Sequence, residues 1–438
     1  MDKLFKNKKV LIMGLGLHGG GAGVAKFFCK QGADVLVTDL KTKEQLKDSI
    51  LKLKGLKIKY TLGGHKESDF QEADLIIKNP DVSNNSPYLK IAQKNNIPVE
   101  TDISLFFKLS EAFIIGVTGT KGKSTTASII YHILKLQNKR TFLAGNIGVS
   151  PLELLGKIKK GDRVILELSS FELENLKQSP NIAVITNILP DHLNRYAGMA
   201  EYIEAKKIIF KYQKKSDILI LNSDDLVAKS FAKEVQSRVC FFTTKEKSIE
   251  KYIGIFKLLG AHNLSNLSSA ISVAKELNVP EEIIKKAVKS FKGVSSRQEF
   301  VREFKNVKYF NDTTSTMPES TIIAINSFYE KFPNAKLIFI CGGQNKGLDY
   351  KKLADAIKEK VGDLVMLPGT ASDELKKHLL WYNKIHNVSS MQQAVETAKN
   401  LAKKGDVVVL SPGAASFNIF KNEFDRGEQY VKAIKKLR

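Results

Sequence analysis

Short apolar runs alternate along the chain with longer segments in which apolar and polar residues mix at helical spacing. Runs of about four to eight apolar residues are typical of strands buried in a parallel sheet. The runs that predict strands cover residues 9–13, 33–39, 73–77, 112–117, 163–166, 182–186, 218–221, 308–310, 335–340, 363–367 and 406–410. This alternation predicts an α/β protein built on mostly parallel sheets.

The predicted strands fall into three blocks. A chain of 438 residues is too long for one ordinary core, so several domains are expected. The pattern predicts boundaries near residues 104 and 296, and therefore domains at 1–104, 105–296 and 297–438. No low-complexity tract or short-period repeat interrupts this order.

The apolar runs are too short for a membrane protein, since a spanning helix needs about 20 apolar residues. The run near the N-terminus is broken by glycines, which indicates a strand and a turn rather than a signal peptide. Three scattered cysteines, Cys29, Cys240 and Cys341, lack metal-binding spacing. They favour reduced thiols in a cytoplasmic protein.

The net charge of +23 raises the question of a nucleic-acid partner. Only eight of the 69 basic residues are arginine, the residue that usually reads bases and grips phosphates as a fork. The lysines are spread over the whole chain and form no basic tail. We therefore expect no nucleic-acid partner, and interpret the charge as a lysine-rich composition that suits anionic nucleotide substrates.

A glycine-rich loop at 118–126 carries the clearest chemistry. It reads Thr-Gly-Thr-Lys-Gly-Lys-Ser-Thr-Thr and follows the predicted strand 112–117 directly. In such loops, backbone N–H groups at a helix start cradle phosphate oxygens, a lysine neutralises them and a hydroxyl binds Mg²⁺. The usual outer glycine is Val117, and Gly119 lies only three residues before Gly122. The sequence thus predicts a variant ATP-binding loop.

A second glycine-rich turn, Gly14-Leu-Gly-Leu-His-Gly19, follows the first predicted strand, and Asp39 ends the next. This spacing is typical of dinucleotide binding, with the acid on a ribose. Alone it would favour a dehydrogenase. The geometry suits any nucleoside diphosphate, however, and a dehydrogenase leaves the 118–126 loop without a role.

Ionisable residues follow two neighbouring predicted strands of the middle block. Glu167 comes after 163–166, and Asp191 and His192 come after 182–186. Carboxylates at the carboxyl ends of parallel strands, near a phosphate loop, are well placed to hold Mg²⁺. His192 is a candidate metal ligand or substrate contact.

Three loops of the last block, at 311–316, 342–347 and 411–416, follow predicted strands and are rich in Gly, Ser and Thr. Such loops at one edge of a sheet bind anions. Together they indicate a ligand that carries carboxylates or phosphates.

In this order the motifs resemble those of the Mur ligase family over nearly the whole chain. The matching segments are 118–125, 145–148, 167–170, 187–192, 262–266, 297–299 and 311–312. The resemblance implies three domains: a Rossmann-like UDP-binding domain, a central P-loop-type ATPase domain with a mostly parallel sheet, and a C-terminal Rossmann-like α/β domain.

Within the family, the two ends of the chain are most similar to members that add D-glutamate to UDP-N-acetylmuramoyl-L-alanine. The segments that carry this similarity are 14–17, 78–81, 411–416, 420–422 and 426–427. The resemblance implies a cytoplasmic, monomeric ligase of peptidoglycan synthesis that uses ATP and Mg²⁺.

The resemblance also implies residue roles. The expected ATP-binding residues are Gly119, Thr120, Lys121, Gly122, Lys123, Ser124, Thr125, Asn263 (adenine), Arg297 (γ-phosphate) and Asp312 (ribose). The expected metal-binding residues are Ser124, Glu167, His192 and Lys206. The expected UDP-substrate residues are Leu17, His18, Asp39, Asn79 and Asn146, and Lys346 and Ser416 are expected to bind the incoming amino acid. Lys123, His192 and Lys206 would be catalytic, with Lys206, or the adjacent Lys207, carbamylated.

Three positions depart from the family pattern: Ser296 replaces a usual histidine, Thr314 a frequent lysine and Glu423 an aromatic residue. The last two lie in the region that selects the amino acid, so a ligase for another amino acid stays open. A folate-type polyglutamylation enzyme would lack a UDP-binding segment at 1–104. A NAD(P)-linked oxidoreductase, a nucleic-acid-binding ATPase and a non-catalytic scaffold are less favoured alternatives.

Overall fold

The computed structural model describes residues 3–17, 19–191, 195–417 and 419–437. The chain divides into two compact units, one formed by Met1–Gly254 and Ser265–Val288 and the other by Ile255–Leu264 and Lys289–Arg438. The first unit holds two sheets and the second holds one. The α/β class predicted from the apolar pattern is confirmed.

The first sheet has five parallel strands in the order β3-β2-β1-β4-β5. Its elements are β1 (Lys9–Met13), α1 (Gly20–Lys30), β2 (Asp34–Asp39), α2 (Lys47–Leu51), β3 (Ile58–Leu62), α3 (Glu67–Gln71), β4 (Leu75–Lys78), α4 (Pro87–Lys94), β5 (Val99–Glu100) and α5 (Asp102–Leu109). The strand order reverses between β1 and β4. Ligands of open α/β sheets bind at such a reversal, outside the carboxyl ends of the strands.

The second sheet has six parallel strands in the order β11-β10-β9-β6-β8-β7. Its elements are β6 (Phe113–Thr118), α6 (Lys123–Gln137), β7 (Thr141–Gly145), a 3₁₀ helix (Pro151–Leu154), β8 (Arg163–Glu167), α7 (Ser170–Leu173), β9 (Ile182–Ile185), α8 (Met199–Lys211), β10 (Ile218–Asn222), α9 (Leu226–Ser230), a second 3₁₀ helix (Phe231–Lys233), β11 (Arg238–Phe242), α10 (Lys247–Ile253), α11 (Ala261–Glu276) and α12 (Glu281–Ser290). The central strand β6 lies between β9 and β8, so the loops after these three strands are neighbours.

The third sheet, in the second unit, has the order β12-β13-β17-β14-β15-β16 and is mixed, because β12 pairs antiparallel with β13. Its elements are β12 (Glu299–Phe304), β13 (Val307–Asn311), α13 (Pro318–Lys331), β14 (Leu337–Cys341), α14 (Lys351–Lys360), β15 (Asp363–Met366), α15 (Thr370–Lys377), β16 (Ile385–Asn387), α16 (Met391–Leu401), β17 (Val407–Leu410) and α17 (Glu423–Lys435). Strand β17 lies between β13 and β14.

The central strands are apolar along their whole length because helices cover both faces of each sheet. Every residue of β9, β14 and β17 is buried. One continuous core joins the first two sheets, and α1 and α5 both pack on the 3₁₀ helix Pro151–Leu154. The first two sheets therefore form one packed body. Among the described residues, no helix has both the length and the apolar character that crossing a bilayer requires.

Ile340→Ala should destabilise the second unit strongly. Ile340 lies in the buried strand β14 with none of its surface exposed, so the truncation leaves a cavity. We expect urea unfolding followed by circular dichroism to show a loss of about 2–5 kcal/mol. Ile323 on α13 is 44% exposed and is the matched control, for which we expect less than about 1 kcal/mol. Equal losses in the two variants would contradict the assigned burial.

Candidate active site

The phosphate loop connects β6 to α6, and α6 begins at Lys123. Gly122 has a φ of 87°, and a Cβ there would overlap Asn266 Oδ1. Gly119 has a φ of 141°, and a Cβ there would overlap Thr186 Oγ1. Both positions therefore require glycine, for conformation and for space. The residue before α6 is Gly122, which has no side chain to cap the helix, and a helix start of this kind suits an anion.

The segment after β9 fixes the shape of this loop. Asn187 accepts hydrogen bonds from Thr120 N at its backbone oxygen (2.8 Å) and from Lys121 N at its side-chain oxygen (2.9 Å). Thr186 Oγ1 donates to Lys121 O (2.6 Å). Thr120 Oγ1 accepts from Leu189 N at 2.9 Å. The loops after two neighbouring strands thus form one hydrogen-bonded structure.

Two lysines converge on a single acceptor in the loop. Lys123 Nζ donates to Gly119 O (3.0 Å) and Thr120 O (2.9 Å), and Lys206 Nζ donates to the same Gly119 O at 3.0 Å. Lys206 is only 1% exposed. Burial, reinforced by the nearby Lys123 charge and partly offset by Asp191, lowers the pKa of Lys206 to about 6. The environment of Lys206 therefore favours the neutral amine over the ammonium form.

Lys207, the neighbour of Lys206 on α8, faces a different environment. Its Nζ forms ion pairs with Glu204 (2.9 Å) and Glu234 (2.8 Å). These carboxylates favour the ammonium form. Of the two adjacent lysines, the structure places Lys206 beside the phosphate loop.

Glu167, the last residue of β8, has the properties of a cation ligand. It is 2% exposed, and its Oε2 has no hydrogen-bond partner within the described residues. Its Oε1 accepts a long hydrogen bond from Asn146 Nδ2 (3.4 Å). A buried carboxylate oxygen without a donor is costly, and a bound cation removes that cost. Glu167 therefore fits a divalent metal.

The described ranges contain no cluster of three His, Cys, Asp or Glu side chains suited to a metal. Ser124 lies in the first turn of α6. His192 lies outside the described residues.

The N-terminal glycine turn is organised by Asp39. This side chain is 5% exposed, and its Oδ2 accepts from Leu15 N (2.9 Å) and Gly16 N (3.1 Å). Its Oδ1 accepts from Lys41 N at 2.9 Å. Asp39 thus shapes the turn through backbone hydrogen bonds, beyond the ribose contact that its spacing predicts.

The loop after β4 packs against the same turn. Asn79 N donates to Met13 O (2.8 Å), and a Cβ at Gly14 would lie 2.8 Å from Asn79 Cβ. A Cβ at Gly19 would lie 3.3 Å from Gly148 O, so the turn also adjoins the loop that carries the exposed Asn146. Of the predicted UDP-substrate residues, Leu17, Asp39 and Asn79 lie in or against the turn, and Asn146 lies on the adjoining loop. His18 lies outside the described residues.

The loops after β13, β14 and β17, which the sequence predicts to bind anions, lie together at one edge of the third sheet because β17 lies between β13 and β14. Gly413 N donates to Ser315 O (2.8 Å), and Gln344 N donates to Ala415 O (2.9 Å). Ser416 is buried and Lys346 is exposed. The loops after β13, β14 and β17 are thus hydrogen-bonded to one another, and the predicted amino-acid residues lie on two of them.

Asp312 is a buried member of this group of loops. Its Oδ2 accepts from Ser315 Oγ (2.6 Å) and Ser411 Oγ (2.8 Å), and its Oδ1 accepts from Gln298 N (3.1 Å). Burial raises its pKa to about 6 despite these donors. Arg297, the residue before Gln298, is exposed. Asn263, near the start of α11, is buried and donates through Nδ2 to Leu259 O (2.7 Å).

Arg426 holds two of these loops together, a role that the sequence interpretation missed. It is fully buried and donates to Thr313 O (2.8 Å), Thr313 Oγ1 (3.1 Å) and Ala414 O (3.0 Å). Burial lowers its pKa to about 10. In a chain with only eight arginines, an arginine beside a glycine just after the 411–416 loop was the available signal.

Three family profiles match the chain. The Mur ligase MurD-like N-terminal domain matches residues 8–101, the Mur ligase middle domain matches 117–254, and the Mur ligase glutamate ligase domain matches 296–413.

Curated relatives match from end to end. The UDP-N-acetylmuramoylalanine--D-glutamate ligase of Roseiflexus sp. (strain RS-1) is 38% identical, over 98% of this chain and 98% of the relative. The protein of the same name from Clostridioides difficile (strain 630) is 35% identical, over 99% of both chains.

Solved structures share the fold at lower identity. UDP-N-acetylmuramate-alanine ligase from Thermotoga maritima has a TM-score of 0.68 and 20% identity, over 98% of this chain and 99% of that one. The MurF ligase of the same organism, solved with ADP, has a TM-score of 0.61 and 19% identity, over 100% of this chain and 98% of that one.

The pKa of Lys206 is directly measurable. In protein labelled with ¹³C at lysine Cε and kept free of CO₂, one resonance should titrate with a midpoint near pH 6, because burial disfavours the ammonium. It should be in its neutral position at pH 7.5 and in its charged position at pH 5, and Lys206→Met should remove it. Survival of that resonance in Lys206→Met, or a midpoint near the ordinary value of 10.5, would contradict the assignment.

Proposed function

The chain belongs to the Mur ligase family, and we propose that it joins D-glutamate to UDP-N-acetylmuramoyl-L-alanine with ATP. The observation that carries this proposal is the end-to-end identity of 38% with a relative named for that reaction. The geometry of the loop around Gly119 supports it, because that loop has the form of a site for the terminal phosphates of ATP. The reaction belongs to cytoplasmic peptidoglycan synthesis, and we propose a monomer.

The chemistry follows from the substrate carboxylate, which is a poor acylating group at neutral pH. Its oxygen attacks the γ-phosphorus of ATP, ADP leaves, and an acyl phosphate forms. The amine of D-glutamate then attacks the acyl carbon, and phosphate leaves with the bonding electrons. The amine must lose a proton in this step, and His192 is the proposed base.

The first unit supplies the phosphoryl-transfer groups. The amides of the loop 119–125 and Lys123 hold the terminal phosphates and offset their charge. Glu167 and Ser124 are the proposed residues that hold Mg²⁺, and His192 is proposed to flank the ion. When bound, Mg²⁺ neutralises charge on the phosphate oxygens during transfer.

The remaining roles are assigned by the matching motifs. Leu17, His18, Asp39, Asn79 and Asn146 are proposed for the UDP-linked substrate, and the reversal of strand order between β1 and β4 supports this placement. Asn263 is proposed to contact the adenine of ATP, Arg297 the γ-phosphate and Asp312 the ribose. Lys346 and Ser416 are proposed for the carboxylates of the incoming glutamate.

Lys206 is proposed to carry a carbamate. A neutral amine is the form that reacts with CO₂: the nitrogen lone pair attacks the carbon and a proton is released. Lys206 is neutral at pH 7 and lies beside the phosphate loop, whereas the Lys207 ammonium is held by Glu204 and Glu234. Carbamate formation converts the neutral amine into a negatively charged carboxylate group, which can bind a divalent metal.

The proposed reaction is tested by phosphate release from ATP in the presence of UDP-N-acetylmuramoyl-L-alanine and a panel of D- and L-amino acids. We expect release only with D-glutamate. Lys123→Ala should lower kcat by at least about 10²-fold, because it removes a charge aimed at the transferred phosphoryl group. Release with another amino acid would keep the ligase and implicate Thr314 and Glu423 in selection. No release with any of them would overturn the proposal.

Carbamate formation has its own readout. Protein exchanged into ¹³C-bicarbonate at pH 8 should show one carbamate carbon resonance, because Lys206 is largely neutral there. Lys206→Met should abolish the resonance and Lys207→Met should retain it. The reverse pattern would transfer the assignment to Lys207, and no resonance in the unaltered protein would remove the carbamate from the scheme.

A further inference from the structure

Arg195 joins the loop after β4 to the second sheet. Its Nη1 donates to Asp81 O (2.9 Å), and its Nη2 donates to Pro80 O (3.2 Å) and to Glu174 Oε2 (3.3 Å). The guanidinium carbon lies 4.1 Å from the centre of the Phe171 ring, within stacking range. A single planar side chain thus binds two consecutive carbonyl groups of one domain and a carboxylate and an aromatic ring of the next.

Glu174 extends this contact. Its Oε1 accepts from Tyr196 OH at 2.6 Å, and its Oε2 accepts from Asn84 Nδ2 at 3.3 Å as well as from Arg195. Side-chain exposure is 21% for Arg195 and 15% for Glu174, so solvent screens the pair less than it screens a surface pair. We call Arg195, Glu174 and Phe171 the clamp.

The loop that the clamp grips has its other end at the glycine turn. Asn79 precedes Pro80, donates to Met13 O and packs on Gly14. The buried Lys78 closes the loop by donating to Val82 O (2.9 Å). If the carbonyl groups of residues 80 and 81 shifted, Asn79 would therefore shift relative to the glycine turn at Gly14. That turn lies where the strand order of the first sheet reverses.

The clamp residues also follow the proposed chemical groups of the middle domain closely along the chain. Phe171 and Glu174 follow Glu167 within one short helical segment, and Arg195 follows the 186–191 segment that holds the phosphate loop. Arg195 therefore links the loop after β4, which packs on the proposed UDP-substrate turn, to the segments after β8 and β9. Those segments carry the proposed metal and phosphate groups.

We propose that Arg195, held by Glu174 and Phe171, is a positioning residue that sets the UDP-linked substrate relative to the phosphate loop. The inference rests on the proposed function and adds to it a residue that contacts neither ATP nor the reacting atoms. Arginine suits this place because its planar fork reaches several acceptors and stacks at the same time, which a lysine ammonium cannot do.

The test uses the full chain and the variants Arg195→Met and Arg195→Lys. Calorimetry should show binding of UDP-N-acetylmuramoyl-L-alanine weakened by about 10- to 100-fold in both variants, since small displacements in a positioned site have effects of this size. The KM for ATP, measured by phosphate release, should stay unchanged because the phosphate loop keeps its own hydrogen bonds to Thr186 and Asn187.

Arg140→Met is the matched control. Arg140 also pairs with a carboxylate through two nitrogens, Asp162, and lies over an aromatic ring, Phe142, at 5.8 Å. It lies at the amino ends of β7 and β8, opposite the loops of the site. We expect similar small changes in the thermal midpoint for Arg140→Met and Arg195→Met, with loss of substrate binding only for Arg195→Met.

The possible results separate the two ideas. Unaltered protein that binds the UDP-linked substrate while Arg195→Met binds it equally well would overturn the positioning role. Equal loss in Arg140→Met, or a rise in the KM for ATP that matches the loss of substrate affinity, would also overturn it by pointing to a general loss of structure. Unaltered protein that does not bind the substrate would overturn the proposed function, and the positioning role with it.

Discussion

The carbonyl oxygen of Gly119 accepts hydrogen bonds from two lysines, and the electrostatics of the proposed site depend on that shared acceptor. Two ammonium groups on one buried carbonyl would repel each other at short range, and burial penalises the charge that is further from water. Burial lowers the pKa of Lys206 to about 6, whereas Lys123 lies at the start of α6, the end of a helix that favours anions. The same constraint thus distinguishes the lysine proposed for phosphate binding from the lysine proposed for carbamate formation.

The two lysines keep their positions only if the phosphate loop keeps its shape. Side chains at neighbouring strand ends hold that shape through hydrogen bonds. Asn187 and Thr186 after β9 hold the phosphate loop, Asp39 at the end of β2 holds the first glycine turn, and Arg426 holds the loops after β13 and β17. In each case, a polar side chain satisfies backbone groups of a loop that cannot form regular structure. The loops can therefore be rigid before a ligand binds, which lowers the entropic cost of binding.

The parts of the fold that were predictable from sequence are the ones buried on both faces. Strands such as β9 and β14 are continuous apolar runs and were predicted nearly to their ends. The edge strands β3, β11 and β12 were not, because their side chains are partly exposed and their composition resembles that of surface segments. The antiparallel pairing of β12 also leaves no local trace, since pairing direction is set by tertiary contacts.

Some site residues were predictable from the sequence, and others depend on which surfaces the fold buries. The glycines of the phosphate loop were visible because conformation demands them, whereas the choice between Lys206 and Lys207 depends on which face of α8 is buried. The double engagement of Asp39 with the backbone was equally hidden, because spacing alone locates the carboxylate but not its donors.

The few arginines of this lysine-rich chain point to places where the structure depends on a planar hydrogen-bond donor. Arg140, Arg195 and Arg426 each donate hydrogen bonds to three acceptors. Each of these arginines holds loops or strand ends in place. The planar guanidinium of arginine can donate to several acceptors that lie in its plane at once. A lysine ammonium is a compact point charge and cannot reach all of them. At these three places, directional hydrogen bonding, and not charge alone, accounts for the use of arginine. In this chain, two of the three such places adjoin the proposed substrate loops, and the third lies at the opposite edge of the second sheet.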